Sequence, residues 1–148
     1  MAERPRFTIY VALLLEKDNS ILLAKRENTG WMDGHWHIPG GGLEENETLV
    51  EAAVREAAEE LAITVNPLDI KLIHILHVDK SKIGFYFTTS KWEGDPKNNE
   101  PNLCSEVAWF ALDSIPDLIS VSSKQTIESF KNNMNKFKKA STAIIRLL

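Results

Sequence analysis

Three glutamates with helical spacing are the residues of this sequence best suited to chemistry. Glu56, Glu59 and Glu60 stand at positions i, i+3 and i+4, which share one face of a helix at about 100° per residue. Carboxylates held this close repel one another unless a cation lies among them, and oxygen ligands suit a hard divalent ion such as Mg²⁺ or Mn²⁺. The same spacing also fits the solvated acidic face of an ordinary surface helix, so the three residues alone leave both interpretations open.

The surrounding sequence predicts the helix that would carry these glutamates. Thr48 followed by Glu51 fits a capping box, so we place the start of the helix at Thr48. A glycine-rich turn at residues 40–42 precedes it, and its backbone could approach an ion or a phosphate closely. The three glutamates lie off the buried stripe that the apolar spacing predicts, which consists of Val50, Val54, Ala57 and Leu61.

The charged residues of this segment also match a family motif. From Gly41 the chain runs through five residues to Glu47, then through seven residues to Arg55-Glu56-Ala57-x-Glu59-Glu60-x-Ala62-Ile63. This resembles the Nudix box, G-x5-E-x7-R-E-U-x-E-E-x-G-U, in which U is an apolar residue. Every charged position matches at the correct spacing. Ala62 departs from the pattern, because the family usually has glycine there to close the helix in a left-handed conformation.

The resemblance implies a MutT-like Nudix hydrolase of the α/β (α+β) class, an α/β/α sandwich with a mixed β-sheet between helices. It implies hydrolysis of a diphosphate bond with Mg²⁺, or Mn²⁺, as cofactor. Glu56 or Glu59 would act as the general base, and Arg55 would orient the carboxylates together with Glu47. The implied metal ligands are Glu56, Glu59, Glu60 and the backbone carbonyl of Gly40.

Two residues outside the box are further candidates. Glu106 precedes the strand that contains Trp109, where family members can place another metal ligand or base; alone, it would read as a solvated charge at a strand edge. Arg26 ends the second predicted strand, where a basic residue often contacts phosphate, and the arginine fork suits that task. A surface salt bridge is an equal alternative for Arg26.

The loop at residues 28–37 carries the most information about the substrate. Its segment resembles that of the MutT-like bacterial subgroup, and its aromatic and histidine side chains could stack on a base or touch an anion. Packing in the core is the alternative for each tryptophan. The residues concerned are Trp31, His35, Trp36 and His37.

Hydrophobic patterning predicts one domain over residues 1–148, made of strands around the acidic helix and then a second helix. The second helix follows Pro116 and has an apolar stripe at Ile127, Phe130, Met134 and Phe137. The predicted strands span residues 7–16, 21–26, 70–78, 83–92 and 107–112, with a short extended piece at 36–38.

The composition of the chain limits the kinds of partner that we expect. A net charge of −4 provides no overall basic field for a nucleic acid polymer. The single Cys104 cannot form an internal disulfide, the first residues lack the apolar core of a signal peptide, and no run is long enough to span a membrane. We therefore expect a cytoplasmic protein, monomer or homodimer, whose partner is a small nucleotide. The tail at residues 136–139 and 144–148 is either a partner surface or docks on the protein's own core.

A nucleoside triphosphate is the favoured substrate, because the chain is short and carries no added recognition domain. The alternatives are ADP-ribose or another NDP-X compound, and a non-catalytic protein that only senses nucleotides. Some oxidised-purine hydrolases of the family read the base with paired acidic residues beyond the strand of Trp109. Ser122, Ser123 and Lys124 occupy the corresponding positions here, so that specificity is not indicated.

Overall fold

The computed structural model describes residues 2–147, with side chains described through Asn135. Within that part of the chain, four strands are followed by a helix, three more strands and a second helix, an order close to the predicted one. The elements are β1 Thr8–Lys17, β2 Ser20–Arg26, β3 Trp36–His37, β4 Gly40–Gly42, α1 Leu49–Leu61, a 3₁₀ turn Pro67–Asp69, β5 Lys71–Asp79, β6 Lys82–Thr89, β7 Cys104–Ala111 and α2 Val121–Leu147.

The strands form one mixed sheet in the order β3-β2-β1-β6-β5, with β4 paired to β1 and β7 paired to β2. β1 and β6 run parallel over eight residue pairs, and the other pairings are antiparallel. Apolar side chains of β1 alternate between the two faces of the sheet, so that Val11 and Leu13 pack toward α1 while Ala12 and Leu14 pack toward α2. The predicted α+β sandwich with a mixed sheet is confirmed.

The hairpin between β1 and β2 opens the sheet on one side of the molecule. The two strands pair only next to their turn, at Glu16 with Ile21 and at Lys17 with Ser20. Beyond these residues β1 pairs with β4 and β6, whereas β2 pairs with β3 and β7. The two groups of strands therefore diverge from the hairpin, and a cleft forms between them.

α1 begins as predicted, and its buried face includes part of the predicted stripe together with two further alanines. Both hydrogen bonds of the capping box form, from Thr48 N–H to the Glu51 carboxylate at 2.7 Å and from Glu51 N–H to Thr48 Oγ1 at 3.2 Å. Val50 is partly buried but packs against the core cluster as predicted, whereas Val54 is partly buried and does not belong to that cluster. Small side chains dominate the buried face because the helix packs closely on the sheet; this face consists of Ala52, Ala53, Ala57 and Leu61.

Ala62 ends α1 in the left-handed conformation, with φ 56° and ψ 36°. Its N–H donates to the backbone oxygen of Ala58 at 3.1 Å, which completes the last turn. Ala62 thus adopts the left-handed conformation in which the family usually has glycine, and its Cβ atom adds a steric cost that glycine would avoid.

The second helix covers the opposite face of the sheet. Ile127 is fully buried there, and Phe130 and Met134 pack against the same cluster, as predicted. Phe137 and the tail at 136–139 and 144–148 lie outside the residues whose side chains are described. β7 begins at Cys104, earlier than predicted, because its pairing with β2 continues past a bulge to Arg26.

Candidate active site

A cavity of about 410 Å³ occupies the cleft between the two groups of strands. We call it the main cavity. It collects polar side chains and backbone from β1, β2, β4, the end of α1 and the loop before β7. The residues that bear on chemistry among those lining it are Tyr10, Arg26, His37, Gly40, Glu60 and Glu100.

Glu60 is the most enclosed carboxylate of this cavity. One oxygen accepts a hydrogen bond from the backbone N–H of Gly40 at 3.1 Å. Burial raises the pKa of Glu60 well above its ordinary value, and the nearby carboxylates of Glu56 and Glu100 raise it further. A buried acid among other acids is the arrangement that a bound cation would relieve.

Arg55 organises the remaining carboxylates of α1. Its guanidinium donates two hydrogen bonds to Glu47, at 3.0 and 2.7 Å, and one to the backbone oxygen of Gly42 at 3.0 Å. It also donates to Glu56 at 2.8 Å and to Glu59 at 3.2 Å. The hydrogen bonds from Arg55 lower the pKa of Glu47, whereas burial outweighs them at Glu56 and raises its pKa. Arg55 thus holds the carboxylates of Glu56 and Glu59 on one side of α1.

Gly41 is required by the position of Glu56. A Cβ atom at residue 41 would overlap the carboxylate of Glu56, so any side chain there would displace it. At Gly40 a Cβ would overlap the backbone of Val11 and Ala12, because β4 lies tightly against β1. The predicted glycine turn is thus strand β4, and its lack of side chains lets α1 bring its carboxylates against the sheet.

Glu100 is a site residue that the sequence analysis missed. The loop before β7 is tied to the end of α1, where Asn99 N–H donates to the backbone oxygen of Glu60 at 2.9 Å. Asn99 Nδ2 donates to the backbone oxygen of Glu59 at 2.9 Å. These bonds bring Glu100 to the wall of the main cavity. The only sequence signal for it is an acidic residue within a polar, asparagine-rich loop.

Glu106 does not take the position that was expected of it. It is exposed on β7, opposite Lys25 of β2, and is absent from the lining of the main cavity. Glu106 thus lies on an exposed strand position outside the main cavity, whereas Glu100, six residues earlier in the chain, lies at the cavity wall.

Arg26 lies at the wall of the main cavity and supports the loop at residues 28–37. Its Nε donates to the backbone oxygen of Trp31 at 2.8 Å, and its guanidinium lies 4.9 Å from the centre of the Trp31 ring. The structure describes no ion pair of Arg26 with an acidic side chain within residues 2–135, so the surface salt bridge is not the arrangement found. Trp31 itself is 51% exposed.

Two further residues of this loop turn away from the main cavity. Trp36 is buried and packs edge-on against Phe110 with 4.7 Å between ring centres, which is the core packing that the sequence left open as its alternative. His35 does not line the main cavity, and its Nδ1 atom is buried. His37 does line it, and burial together with the charge of Arg26 lowers the pKa of His37 to about 4.

The acidic side chains suit a divalent metal by their chemistry, although they are not gathered into a finished cage. Among the residues with described side chains, no three acidic, histidine or cysteine groups stand close enough together to hold an ion. The donors are nonetheless all oxygens, and within the described residues the partly buried carboxylate of Glu60 accepts a hydrogen bond only from the backbone N–H of Gly40. Hard divalent cations prefer such carboxylates, so the residues present fit the group.

The family model of the NUDIX domain matches residues 4–130. The chain belongs to the Nudix family. An 8-oxo-dGTP diphosphatase of Proteus vulgaris is 30% identical over 97 residues, which is 64% of this chain and 86% of the relative. An ADP-ribose pyrophosphatase of Methanocaldococcus jannaschii is 48% identical over 50 residues, 34% of this chain and 29% of that relative.

The fold comparison agrees with this family. The crystal structure of a MutT NUDIX hydrolase from Burkholderia pseudomallei superposes with a TM-score of 0.76 at 27% identity, covering 86% of this chain and 98% of that one. The protein is thus a MutT-like Nudix hydrolase, an enzyme that acts on pyrophosphate bonds. Among its described residues, no helix has the length and apolar character needed to cross a membrane.

Proposed function

We propose that this Nudix hydrolase cleaves a nucleoside triphosphate, with Mg²⁺ as cofactor, into a nucleoside monophosphate and pyrophosphate. The observation that carries the proposal is the meeting of Glu60, Glu100 and Arg26 at the wall of one cavity of about 410 Å³. Carboxylates there can hold a cation, and the arginine can bind phosphate oxygens. A polyphosphate needs both kinds of group, because its charge must be met by metal and by basic side chains.

Each acidic residue has a role in this proposal. Glu56, Glu59, Glu60 and Glu100, with the Gly40 carbonyl, would hold the metal, which when bound neutralises phosphate charge and lowers the pKa of water. Arg55 is a positioning residue, since it contacts the carboxylates of Glu56 and Glu59. Glu56 or Glu59 would take the proton of the attacking water, and the raised pKa of Glu56 suits that role. The water oxygen bonds to one phosphorus of the α–β bridge as the P–O bond of that bridge breaks, so that the nucleoside monophosphate and pyrophosphate separate.

The choice of substrate rests on which of the two named relatives aligns with more of the chain. The relative named 8-oxo-dGTP diphosphatase aligns with 64% of the chain, whereas the one named ADP-ribose pyrophosphatase aligns with 34%. A triphosphate is therefore favoured over ADP-ribose. A purely sensing role is disfavoured because every glutamate of the box is retained. A cytoplasmic location and a monomeric or homodimeric state stay predictions.

The test is release of pyrophosphate and phosphate from a panel of nucleoside triphosphates, ADP-ribose and dinucleoside polyphosphates, with Mg²⁺ and with EDTA. We expect pyrophosphate from triphosphates only when Mg²⁺ is present. Glu60→Gln and Glu100→Gln should each lose about a hundredfold or more in kcat. Glu106→Gln is the matched control and should keep wild-type turnover. Near-normal turnover in Glu60→Gln would contradict the proposal, and cleavage of ADP-ribose alone would replace the substrate.

Thermal unfolding separates a lost metal site from a lost fold. Glu60→Gln removes a buried charge, so without metal its Tm should be at least that of the wild type. Mg²⁺ should raise the Tm of the wild type, because a ligand that binds only the folded state stabilises it. The same addition should leave the Tm of Glu60→Gln nearly unchanged. An equal Mg²⁺ response in both proteins would remove Glu60 from the metal site.

A further inference from the structure

A second, smaller cavity adjoins the main cavity and shares part of its wall. Its volume is about 110 Å³, and it shares Tyr10, Arg26 and His37 with the main cavity. We call it the Trp31 cavity, because Trp31 forms part of its wall. It is too small for a whole nucleotide beside a main cavity of about 410 Å³, but it lies where a group attached to a bound phosphate chain would reach.

Two cations flank the tryptophan of this cavity. The Arg26 guanidinium lies 4.9 Å and the Lys82 Nζ 5.4 Å from the centre of the Trp31 ring. Arg26 also fixes the loop through its hydrogen bond to the Trp31 backbone oxygen at 2.8 Å. The indole therefore keeps both charged groups at the wall of a cavity that is also lined by the aromatic ring of Tyr86.

The polar groups of the Trp31 cavity are biased toward hydrogen-bond donors. Arg26 and Lys82 can only donate. The hydroxyl groups of the lining serines and tyrosines can donate or accept, although the Ser123 oxygen already accepts from Ile38 N–H at 2.9 Å. His37 provides one acceptor, because its Nδ1 lies 2.9 Å from the Ile38 carbonyl oxygen and must carry the proton there. Its pKa of about 4 keeps the ring neutral, which leaves Nε2 without a proton.

We propose that the Trp31 cavity binds the nucleobase and selects bases with a carbonyl oxygen at purine C6 or pyrimidine C4, namely guanine, uracil and thymine, over adenine and cytosine, which carry an amino group there. The inference rests on the proposed function, since the main cavity must take the phosphates. Carbonyl oxygens of the first group accept from Arg26 and Lys82, whereas the amino groups of adenine and cytosine would meet further donors. A donor left without an acceptor in an enclosed site weakens binding, so the cations discriminate by repelling the wrong base as well as by binding the right one.

Binding of nucleoside monophosphates without metal tests this assignment directly. We would measure Kd for GMP, UMP, AMP and CMP by calorimetry in EDTA, so that neither metal nor turnover contributes. GMP and UMP should bind about tenfold more tightly than AMP and CMP. In Lys82→Gln, whose amide both donates and accepts, this ratio should fall to about twofold. Lys80→Gln, an exposed residue of the neighbouring turn, is the matched control and should keep the wild-type ratio.

The tryptophan is tested in the same assay. Trp31→Ala should weaken all four monophosphates about tenfold, because the wall of the cavity and the support of both cations are lost. Trp109→Ala, which removes a tryptophan that is 40% exposed on β7, should leave the four affinities unchanged. Equal affinities for the four bases in the wild type, no measurable binding of any of them, or an unchanged ratio in Lys82→Gln would overturn the inference.

The two proposals fail separately. If triphosphates are hydrolysed with Mg²⁺ but the monophosphates show no base preference, the base assignment is wrong and the reaction stands. If carbonyl bases bind with the expected dependence on Lys82 but no nucleotide of the panel is cleaved, the reaction is wrong and the base assignment stands.

Discussion

The side-chain amide of Asn99 donates a hydrogen bond to the backbone oxygen of Glu59 at 2.9 Å. The backbone N–H of Asn99 donates to the backbone oxygen of Glu60, also at 2.9 Å. Both acceptors belong to the last turn of α1, whose carbonyls have no partner within the helix. The loop before β7 thus satisfies the end of the catalytic helix, and the next residue, Glu100, enters the main cavity as a result.

Asn99→Ala should reduce activity although it removes no acidic group. The variant loses the side-chain bond to Glu59, so Glu100 is held less accurately opposite Glu60. We expect kcat to fall about tenfold, since small displacements of a positioned group cost this much or more. Steady-state kinetics with Mg²⁺ measure the effect.

Asn102→Ala is the matched control for Asn99→Ala, because Asn102 is an exposed asparagine of the same loop. It should retain wild-type kcat. Circular dichroism should show the same fold in both variants. Wild-type turnover in Asn99→Ala would mean that Glu100 is positioned by other contacts.

Ala62→Gly should stabilise the protein. Ala62 has a φ of 56°, a conformation in which the Cβ atom is crowded and which glycine adopts freely. Part of the gain is offset by the greater entropy of glycine in the unfolded chain. We expect the free energy of unfolding to rise by about 0.5–1 kcal/mol, measured by urea denaturation.

Ala58→Gly, one turn earlier in α1, should instead destabilise the protein. Ala58 is exposed inside α1, where glycine costs about 1 kcal/mol relative to alanine. The two substitutions are chemically identical and should change stability in opposite directions. Destabilisation by both would show that the left-handed conformation is not retained at residue 62.

Features held in short stretches of sequence could be predicted. Thr48 and Glu51 start α1, and the spacing of Glu56, Glu59 and Glu60 puts them on one side of it, because the capping box and the helical period are local properties. The buried face of α1 could not be predicted fully. It depends on how closely the helix approaches the sheet, which favours the alanines over Val50 and Val54.

Features that depend on contacts distant in sequence could not be predicted. Glu100 and Glu106 both lie near β7, and the choice between them rests on the bonds from Asn99 to the end of α1. The exposure of Trp31 and Trp36 likewise depends on tertiary packing. Trp31 is half exposed beside Arg26, whereas Trp36 is buried against Phe110 of β7.

Trp36→Ala should lower stability without changing the preference among bases. The indole is buried in the cluster on the α2 side of the sheet, so its removal leaves a large cavity. We expect the free energy of unfolding to fall by about 3–5 kcal/mol, measured by urea denaturation. The ratios of kcat/KM among nucleotides should stay as in the wild type. A loss confined to one base would instead put Trp36 in contact with the substrate.

His37 should make the protein less stable as the pH falls from 6.5 toward 4. Its pKa is lowered from 6.5 to about 4 in the folded protein, chiefly by burial and then by the charge of Arg26. Between these values the unfolded chain binds more protons than the folded one, so the free energy of unfolding decreases with falling pH, by about 1.4 kcal/mol per unit. Above pH 6.5 the contribution is fully present.

The measurement is urea denaturation from pH 7 to pH 5 on the wild type and on His37→Gln, in which the glutamine at position 37 does not titrate. The variant should lack the contribution of His37. Glu56 and Glu60, whose pKa values are raised by burial, contribute with the opposite sign, but they do so in both proteins. The difference between the two curves therefore isolates His37. His77→Gln, at an exposed position of β5, is the matched control and should follow the wild type. Parallel curves for the wild type and His37→Gln would mean that the imidazole is solvated, and the neutral acceptor assigned to the Trp31 cavity would be lost with it.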